Sequence, residues 1–99
     1  MTETDIQSKI RQALSEHGMV IRINTGVFKT MDGRMTRAGV PGMPDLLFIG
    51  QGFTAFIEVK TEIGRLRPEQ ERFIARVHAL GHRAGVARSV ADALQIIGR

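Results

Sequence analysis

The residues best suited to do chemistry in this chain are two carboxylates and one amine inside segments that read as buried strands. Asp45 follows Pro44 and begins an apolar run, and thirteen residues later Glu58 and Lys60 flank Val59 at the end of a second apolar run. Charged groups are rare on buried strands unless they are paired or bound to a metal. The spacing therefore predicts a metal-dependent active site. The alternative is a solvated edge hairpin with Glu58 and Lys60 in surface salt bridges, because so short a pattern also occurs by chance.

The pairing register of the two strands decides whether the carboxylates meet. Side chains alternate along a strand, so Glu58 shares one face with Phe56 and Lys60. If Leu47 lies opposite Phe56, then Asp45 lies opposite Glu58, with Cβ atoms about 4.5–5.5 Å apart. A shift by one residue would separate the carboxylates. The apolar pattern tolerates both registers, and we predict the first on chemical grounds.

Two facing carboxylates repel each other unless a cation or a proton lies between them. Ligation by carboxylate, carbonyl and water oxygens suits Mg²⁺ or Mn²⁺ better than zinc. Lys60, on the same face, could orient the attacking water or stabilise the negative charge of a pentavalent phosphorane. This combination of groups is typical of a phosphodiester hydrolase.

The composition bounds the class of protein. A chain of 99 residues has room for one small core, so we expect a single domain over residues 1–99. The absence of Cys excludes disulfides and thiolate zinc sites. The acidic N-terminus lacks the apolar segment of a signal peptide, and no apolar run reaches the about 20 residues of a membrane helix. We therefore expect a cytoplasmic protein with no membrane partner, and we expect no small-molecule cofactor.

The charge balance favours a polyanionic partner. The formal net charge is +4, the sequence pI is about 10.7, and Trp and Tyr are absent. Recognition should then rest on phosphates and duplex shape more than on base stacking. The predicted DNA-binding residues lie on both sides of the carboxylates in sequence: Lys29, Arg34, Arg37, Arg65 and Arg67.

Periodicity and capping residues predict an α/β fold in the order α-β-β-β-α-β-α with a mixed sheet between helices. A hairpin tip at Asp32-Gly33 is predicted inside a loop that leads into the site. The other predicted elements are a helix over Thr4–His17, strands over Val20–Asn24, Asp45–Ile49 and Thr54–Lys60, a helix from Pro68 to Leu80, a strand over Arg83–Ala87 and a last helix capped by Ser89.

The ordered motifs resemble the VRR-NUC domain of the PD-(D/E)xK nuclease superfamily. The matching stretches run from Gly39 to Ile49, from Phe56 to Lys60 and through Arg67-Pro68-Glu69-Gln70, and end near Val86-Ala87-Arg88. With the first helix, the resemblance covers nearly the whole chain. It implies a restriction-endonuclease-like core and a minimal VRR-NUC-like nuclease domain over residues 1–99.

The resemblance also implies roles for individual residues. Asp45 and Glu58 would bind the metal ion, helped by the backbone carbonyl of Val59. Lys60 would orient the water or stabilise the transition state. Gln70, near the start of the second helix, matches the family's glutamine that supports the site.

Two further assignments follow from the same resemblance. Glu3 matches an acidic position that can complete the metal shell and act with the catalytic residues. Asp5 and Glu16 are alternative candidates for that position. The segment that names the family reads Val86-Ala87-Arg88 here, with Ala where the family has Arg. Arg88 is expected to contact DNA; Arg83 in place of Arg88, or a different mode of DNA contact, are the alternatives.

The resulting expectation is a Mg²⁺- or Mn²⁺-dependent DNA endonuclease that leaves a 5′-phosphate and a 3′-hydroxyl. A structure-selective four-way (Holliday) junction resolvase is favoured, because small members of the superfamily resemble such enzymes. Symmetric incision by a chain with one site requires a homodimer. A flap or branched-DNA nuclease and a nickase of the same fold are alternatives. A non-catalytic basic protein that binds nucleic acid is the alternative from another class.

Overall fold

The computed structural model describes residues 1–23 and 26–99, and in two strands it describes the backbone alone for residues 26–28 and 37–38. The elements, in chain order, are α1 (Glu3–Leu14), β1 (Met19–Arg22), β2 (Gly26–Lys29), β3 (Met35–Ala38), β4 (Leu46–Ile49), β5 (Thr54–Val59), α2 (Pro68–Ala79), β6 (Arg83–Ala87) and α3 (Val90–Ile96). This is the predicted order with a β2–β3 hairpin between the first two sheet strands. No helix among the described residues is long and apolar enough to cross a membrane.

A mixed four-stranded sheet in the order β1-β4-β5-β6 positions the two carboxylate segments side by side. Strands β1 and β5 are antiparallel to β4, whereas β6 is parallel to β5. Leu47 lies opposite Phe56, so the register predicted from the chemistry is confirmed. Since β5 lies between two other strands, the alternative of a solvated edge hairpin is wrong.

Helices cover both faces of this sheet. The face with Phe48 and Ile57 packs against α1 and α3, and its largest fully buried side chains include Ile10 and Leu14 of α1. On the opposite face, the ring of Phe56 meets Phe73 of α2 edge-on, with ring centroids 5.3 Å apart. Glu58 and Lys60 alternate with the core residues, so they lie on the α2 side of the sheet.

The predicted end of the first helix was wrong. The capping box is present, with the Asp5 N–H donating to the Thr2 hydroxyl at 3.1 Å, but the helix ends at Leu14 and Ser15 caps it. Gly18, just after the predicted end of the helix, allows a close approach to β4, because a Cβ there would overlap the Ile49 carbonyl and the Phe48 ring.

The predicted strand ends differ from the structure by a few residues. Strand β1 begins at Met19 and ends at Arg22, while Asn24, predicted as its end, lies outside the described residues. Strand β4 begins at Leu46, one residue after Asp45. The Asp45 side chain therefore projects from the point where the chain enters the sheet.

Candidate active site

The carboxylate of Asp45 is anchored to the neighbouring strand. Its Oδ2 accepts a hydrogen bond from the Val59 N–H at 2.9 Å, and its backbone carbonyl accepts one from the Ile23 N–H at 2.7 Å. The hydrogen bond from the Val59 N–H involves a charged carboxylate, and such bonds are stronger than those between neutral partners. They fix the Asp45 side chain against β5, beside Glu58.

Glu58 is the central side chain of the cluster. It is 2% exposed, and its Oε2 accepts a hydrogen bond from the Gln70 Nε2 at 2.8 Å and lies 3.2 Å from the Lys60 Nζ. Its Oε1 is buried and has no hydrogen-bond partner among the described residues. A buried oxygen without a partner costs about 1–3 kcal/mol and points to an ion or a water at that position.

The surroundings of Glu58 favour its neutral form. Burial, first, and then the negative charge of Asp45 raise the pKa of Glu58 from 4.5 to about 7, although Lys60 acts in the opposite direction. In the absence of a cation, the carboxyl therefore carries a proton in a large fraction of molecules near neutral pH. A divalent cation between the two carboxylates would remove the repulsion and displace this proton.

Lys60 and Gln70 fix Glu58 from two sides. The Lys60 side chain is 13% exposed, and its backbone N–H donates to the Ala87 carbonyl at 3.1 Å. Gln70 is buried, and its Oε1 accepts a hydrogen bond from the Arg67 N–H at 2.9 Å. Because the side-chain carbonyl of Gln70 is hydrogen-bonded at the start of α2, its amide presents the NH₂ group to the Glu58 carboxylate. The structure thus brings together four of the predicted residues: Asp45, Glu58, Lys60 and Gln70.

Gly42 joins the loop before Asp45 to the start of α2. Its φ is +82°, and a Cβ at this position would overlap the Glu69 carbonyl. Pro44, two residues further on, is fully buried. The loop that leads into the site therefore touches α2 at Gly42, next to the helix turn that carries Gln70. Both the +82° backbone and the contact with Glu69 require glycine here, and no sequence pattern indicated the contact.

Arg88 is committed to the turn that follows Lys60. Its Nη1 lies 2.6 Å from the Thr61 carbonyl, 2.6 Å from the Gly64 carbonyl and 3.3 Å from the Glu62 carbonyl. The repeat of a strand or a helix does not predict a contact between residues this far apart in the sequence. The sequence indicated only that Arg88 is a cation near the DNA. The predicted contact of Arg88 with DNA stays a prediction.

The other predicted DNA-binding residues lie at the surface. Lys29 and Arg34 are exposed on the β2–β3 hairpin, whereas Arg65 and Arg67 are exposed between Lys60 and α2. Arg67 forms an ion pair with Glu69 at 3.3 Å. The side chain of Arg37 lies outside the part of the chain that the structure describes.

Glu3 is exposed in the first turn of α1. Across residues 1–23 and 26–99, no group of three or more His, Asp and Glu side chains could together hold a metal ion. Glu3 does not join Asp45 and Glu58 in such a group. Its role as a metal ligand, like that of the Val59 carbonyl, stays a prediction.

A mixed sheet between helices, with an acidic pair, a lysine and a glutamine gathered on two central strands and the adjoining helix, defines a nuclease-type domain of restriction-endonuclease-like fold. The family model for the VRR-NUC domain matches residues 1–91, and the chain belongs to this family. DNA is the substrate that membership implies, and nucleases of this family are generally metal-dependent.

Structural comparison agrees with this family. A solved structure described as a VRR_NUC domain is similar to this chain, with 26% sequence identity and a TM-score of 0.70. The similarity covers 98% of this chain and 96% of the other. No curated protein matches the sequence.

Proposed function

We propose that this protein is a DNA endonuclease that requires Mg²⁺ or Mn²⁺ and holds the ion between Asp45 and Glu58. The observation that carries the proposal is the pair of carboxylates with one buried oxygen, Oε1 of Glu58, left without a partner. Hard oxygen donors of this kind fit Mg²⁺ and Mn²⁺. The Val59 carbonyl and Glu3 are the proposed further ligands.

The protein's own groups have distinct tasks in this proposal. The Val59 N–H holds one oxygen of Asp45, and Gln70 holds one oxygen of Glu58, so both carboxylates keep their orientation. The ion, when bound, supplies positive charge and lowers the pKa of a water molecule. The Lys60 Nζ, 3.2 Å from the Glu58 Oε2, would interact with a phosphate oxygen or hold the attacking water. In-line attack on phosphorus then leaves a 5′-phosphate and a 3′-hydroxyl.

The finer proposal is cleavage of branched DNA, with a four-way junction as the favoured substrate. One chain offers one acidic pair, so symmetric incision of two strands requires a homodimer with two such sites. Exposed cations precede and follow the acidic pair in the sequence, Lys29 and Arg34 on the hairpin and Arg65 before α2, and they support contacts with the phosphates of more than one DNA arm. A flap nuclease and a nickase are the competing activities within the same chemistry.

Cleavage of end-labelled DNA tests the proposal directly. A four-way junction, a flap, a fork and a linear duplex are incubated with Mg²⁺, with Mn²⁺ or with EDTA. We expect metal-dependent incision that is lost in Asp45→Asn, Glu58→Gln and Lys60→Ala. Glu71→Gln is the matched control, because Glu71 is exposed on α2 next to Gln70. If no substrate is cut with either metal, the protein is not the proposed enzyme.

Binding assays separate the alternatives. A non-catalytic DNA-binding protein would bind DNA with or without metal and would be indifferent to Asp45→Asn. Calorimetric titration with Mn²⁺ in the absence of DNA should detect binding to the wild type and to Glu71→Gln but not to Asp45→Asn. A single incision on one strand of the junction would argue against the dimeric resolvase and leave the hydrolytic chemistry in place.

A further inference from the structure

The β2–β3 hairpin is a two-stranded sheet separate from the four-stranded sheet. The strands are antiparallel, with Gly26 opposite Ala38 and Lys29 opposite Met35. Every residue from 29 to 36 is exposed. A four-residue strand spans about 13 Å, so the hairpin forms a projecting arm with its own backbone pairing.

The tip of this arm is a hydrogen-bonded turn. The Thr30 N–H donates to the Arg34 carbonyl at 2.7 Å, and the Gly33 N–H donates to the Thr30 carbonyl at 2.9 Å. The Asp32 carboxylate accepts hydrogen bonds from the Thr30 hydroxyl and, at 3.2 Å, from the Arg34 N–H. Gly33 has a φ of +86°, as such a turn requires. The tip thus holds its shape through its own contacts.

This turn presents an apolar side chain to solvent. Met31 is fully exposed at the tip, and Met35 is 66% exposed on the adjoining strand. From residue 29 to residue 36, the residues other than the two methionines and Gly33 are polar or charged. They include the cations Lys29 and Arg34 and the Asp32 carboxylate, whose Oδ2 lies 3.6 Å from the Arg34 Nε. A partner that suits this tip accepts both an apolar side chain and positive charge.

Both ends of the arm lead to the acidic pair. On one side, the Ile23 N–H binds the Asp45 carbonyl at 2.7 Å. On the other side, the chain returns through Gly42, docked on α2, and reaches Asp45 after the buried Pro44. A nucleic acid that reaches Asp45 therefore lies close to the base of the arm.

We propose that the β2–β3 hairpin enters a groove of branched DNA and that Met31 inserts at the partly opened base step of the branch point and completes its unstacking. A two-stranded ribbon fits the major groove, and methionine is among the side chains that enter opened base steps. Lys29 and Arg34 contact the phosphates that border the groove. The cost of unstacking is lowest where a branch has already opened the step, so the insertion selects branched over linear DNA. This rests on the proposed function, since it takes DNA as the substrate.

A second copy of this chain is the other partner that would cover the two exposed methionines of the hairpin. The positive charge of the chain favours DNA over a second copy as the partner of the hairpin. Each chain carries +4, and hairpins packed against each other about a two-fold axis would bring Lys29 and Arg34 close to their own copies. Like charges at such distances repel, whereas the same cations are attracted to phosphates.

The test is a binding experiment in EDTA with Asp45→Asn protein, which cannot cut. A four-way junction carries 2-aminopurine at the branch point, and its fluorescence rises when the base unstacks. We expect the rise on binding, and we expect Met31→Ser to abolish it and to weaken junction binding about tenfold relative to linear duplex. Met19→Ser is the matched control, because Met19 is 60% exposed on β1, in the four-stranded sheet.

Two results would overturn the inference. In one, Met31→Ser protein binds the junction and raises the fluorescence as its Asp45→Asn parent does. In the other, sedimentation shows that Met31→Ser turns a dimer into a monomer while the fluorescence is unchanged, which assigns the tip to a second copy. The proposed function fails separately, through absence of cleavage by the wild type, because the fluorescence assay needs no cleavage.

Discussion

Replacing Glu58 by Gln should stabilise the metal-free protein at alkaline pH while it abolishes cleavage. In the wild type, burial and the charge of Asp45 raise the pKa of Glu58 from 4.5 to about 7. A carboxyl with a raised pKa in the folded state contributes fully to stability below pH 4.5, and this contribution is lost as the pH rises through about 7. Glutamine has no proton to lose, and it can still accept the hydrogen bond from Gln70.

The magnitude follows from the two pKa values. At about 1.36 kcal/mol for each pKa unit, the ionised Glu58 costs the fold about 3 kcal/mol at pH 8. Solvent screening on the open side of the site reduces this value. We therefore expect Glu58→Gln to raise the free energy of unfolding by about 1–2 kcal/mol at pH 8, or roughly 5–10 °C in Tm, and to change it little at pH 5.

Urea and thermal unfolding in EDTA at pH 5 and pH 8 measure this difference. Glu71→Gln should show no pH-dependent change, since Glu71 is exposed. Mn²⁺ should restore stability to the wild type at pH 8 and have little effect on Glu58→Gln. If the variant is less stable than the wild type at pH 8, or differs from it equally at both pH values, then burial and repulsion between the carboxylates do not control the pH dependence of stability.

Three further substitutions test the contacts around this pair. Gln70→Ala should lower Mn²⁺ affinity in calorimetry about 10- to 100-fold, because Glu58 loses its 2.8 Å hydrogen bond; unchanged affinity would deny Gln70 an orienting role. Arg88→Met should lower kcat for cleavage, because Arg88 holds the Thr61 and Gly64 carbonyls of the turn after Lys60; an added loss of DNA affinity with a smaller salt dependence would bear out the DNA contact expected of Arg88, and an unchanged Kd would count against it. Gly42→Ala should lower the free energy of unfolding in urea by about 2 kcal/mol or more. Gly33→Ala should lower it less, because Gly33 has a similar φ but open space around it. Equal losses would mean that the contact of Gly42 with Glu69 is unimportant.

The order of elements and the strand register could be predicted from the sequence. Alternation placed Phe56 and Glu58 on one face, and the requirement that the carboxylates meet selected the register that the structure confirms. The apolar pattern alone tolerated a second register. The requirement that the two carboxylates meet therefore distinguished between registers that the apolar pattern could not separate.

The contacts that fix the site could not be predicted in the same way. Arg88 binds a carbonyl 27 residues away, and Gly42 touches the backbone of α2. Neither contact belongs to the repeat of a strand or a helix, so the spacing of apolar residues in the sequence does not predict it. The approach of Gly18 to Ile49 is a similar case, because it depends on how the sheet is placed.

The hydrogen bond between the Ile23 N–H and the Asp45 carbonyl closes the chain segment that carries the β2–β3 hairpin. Once these ends are joined, the entropy of closure depends only weakly on the length of the segment between them. Each doubling of that length costs about 0.6 kcal/mol. The arm can therefore be shortened, lengthened or replaced at little cost to folding, which makes this position a practical place to graft a new DNA-reading element onto an unchanged catalytic core.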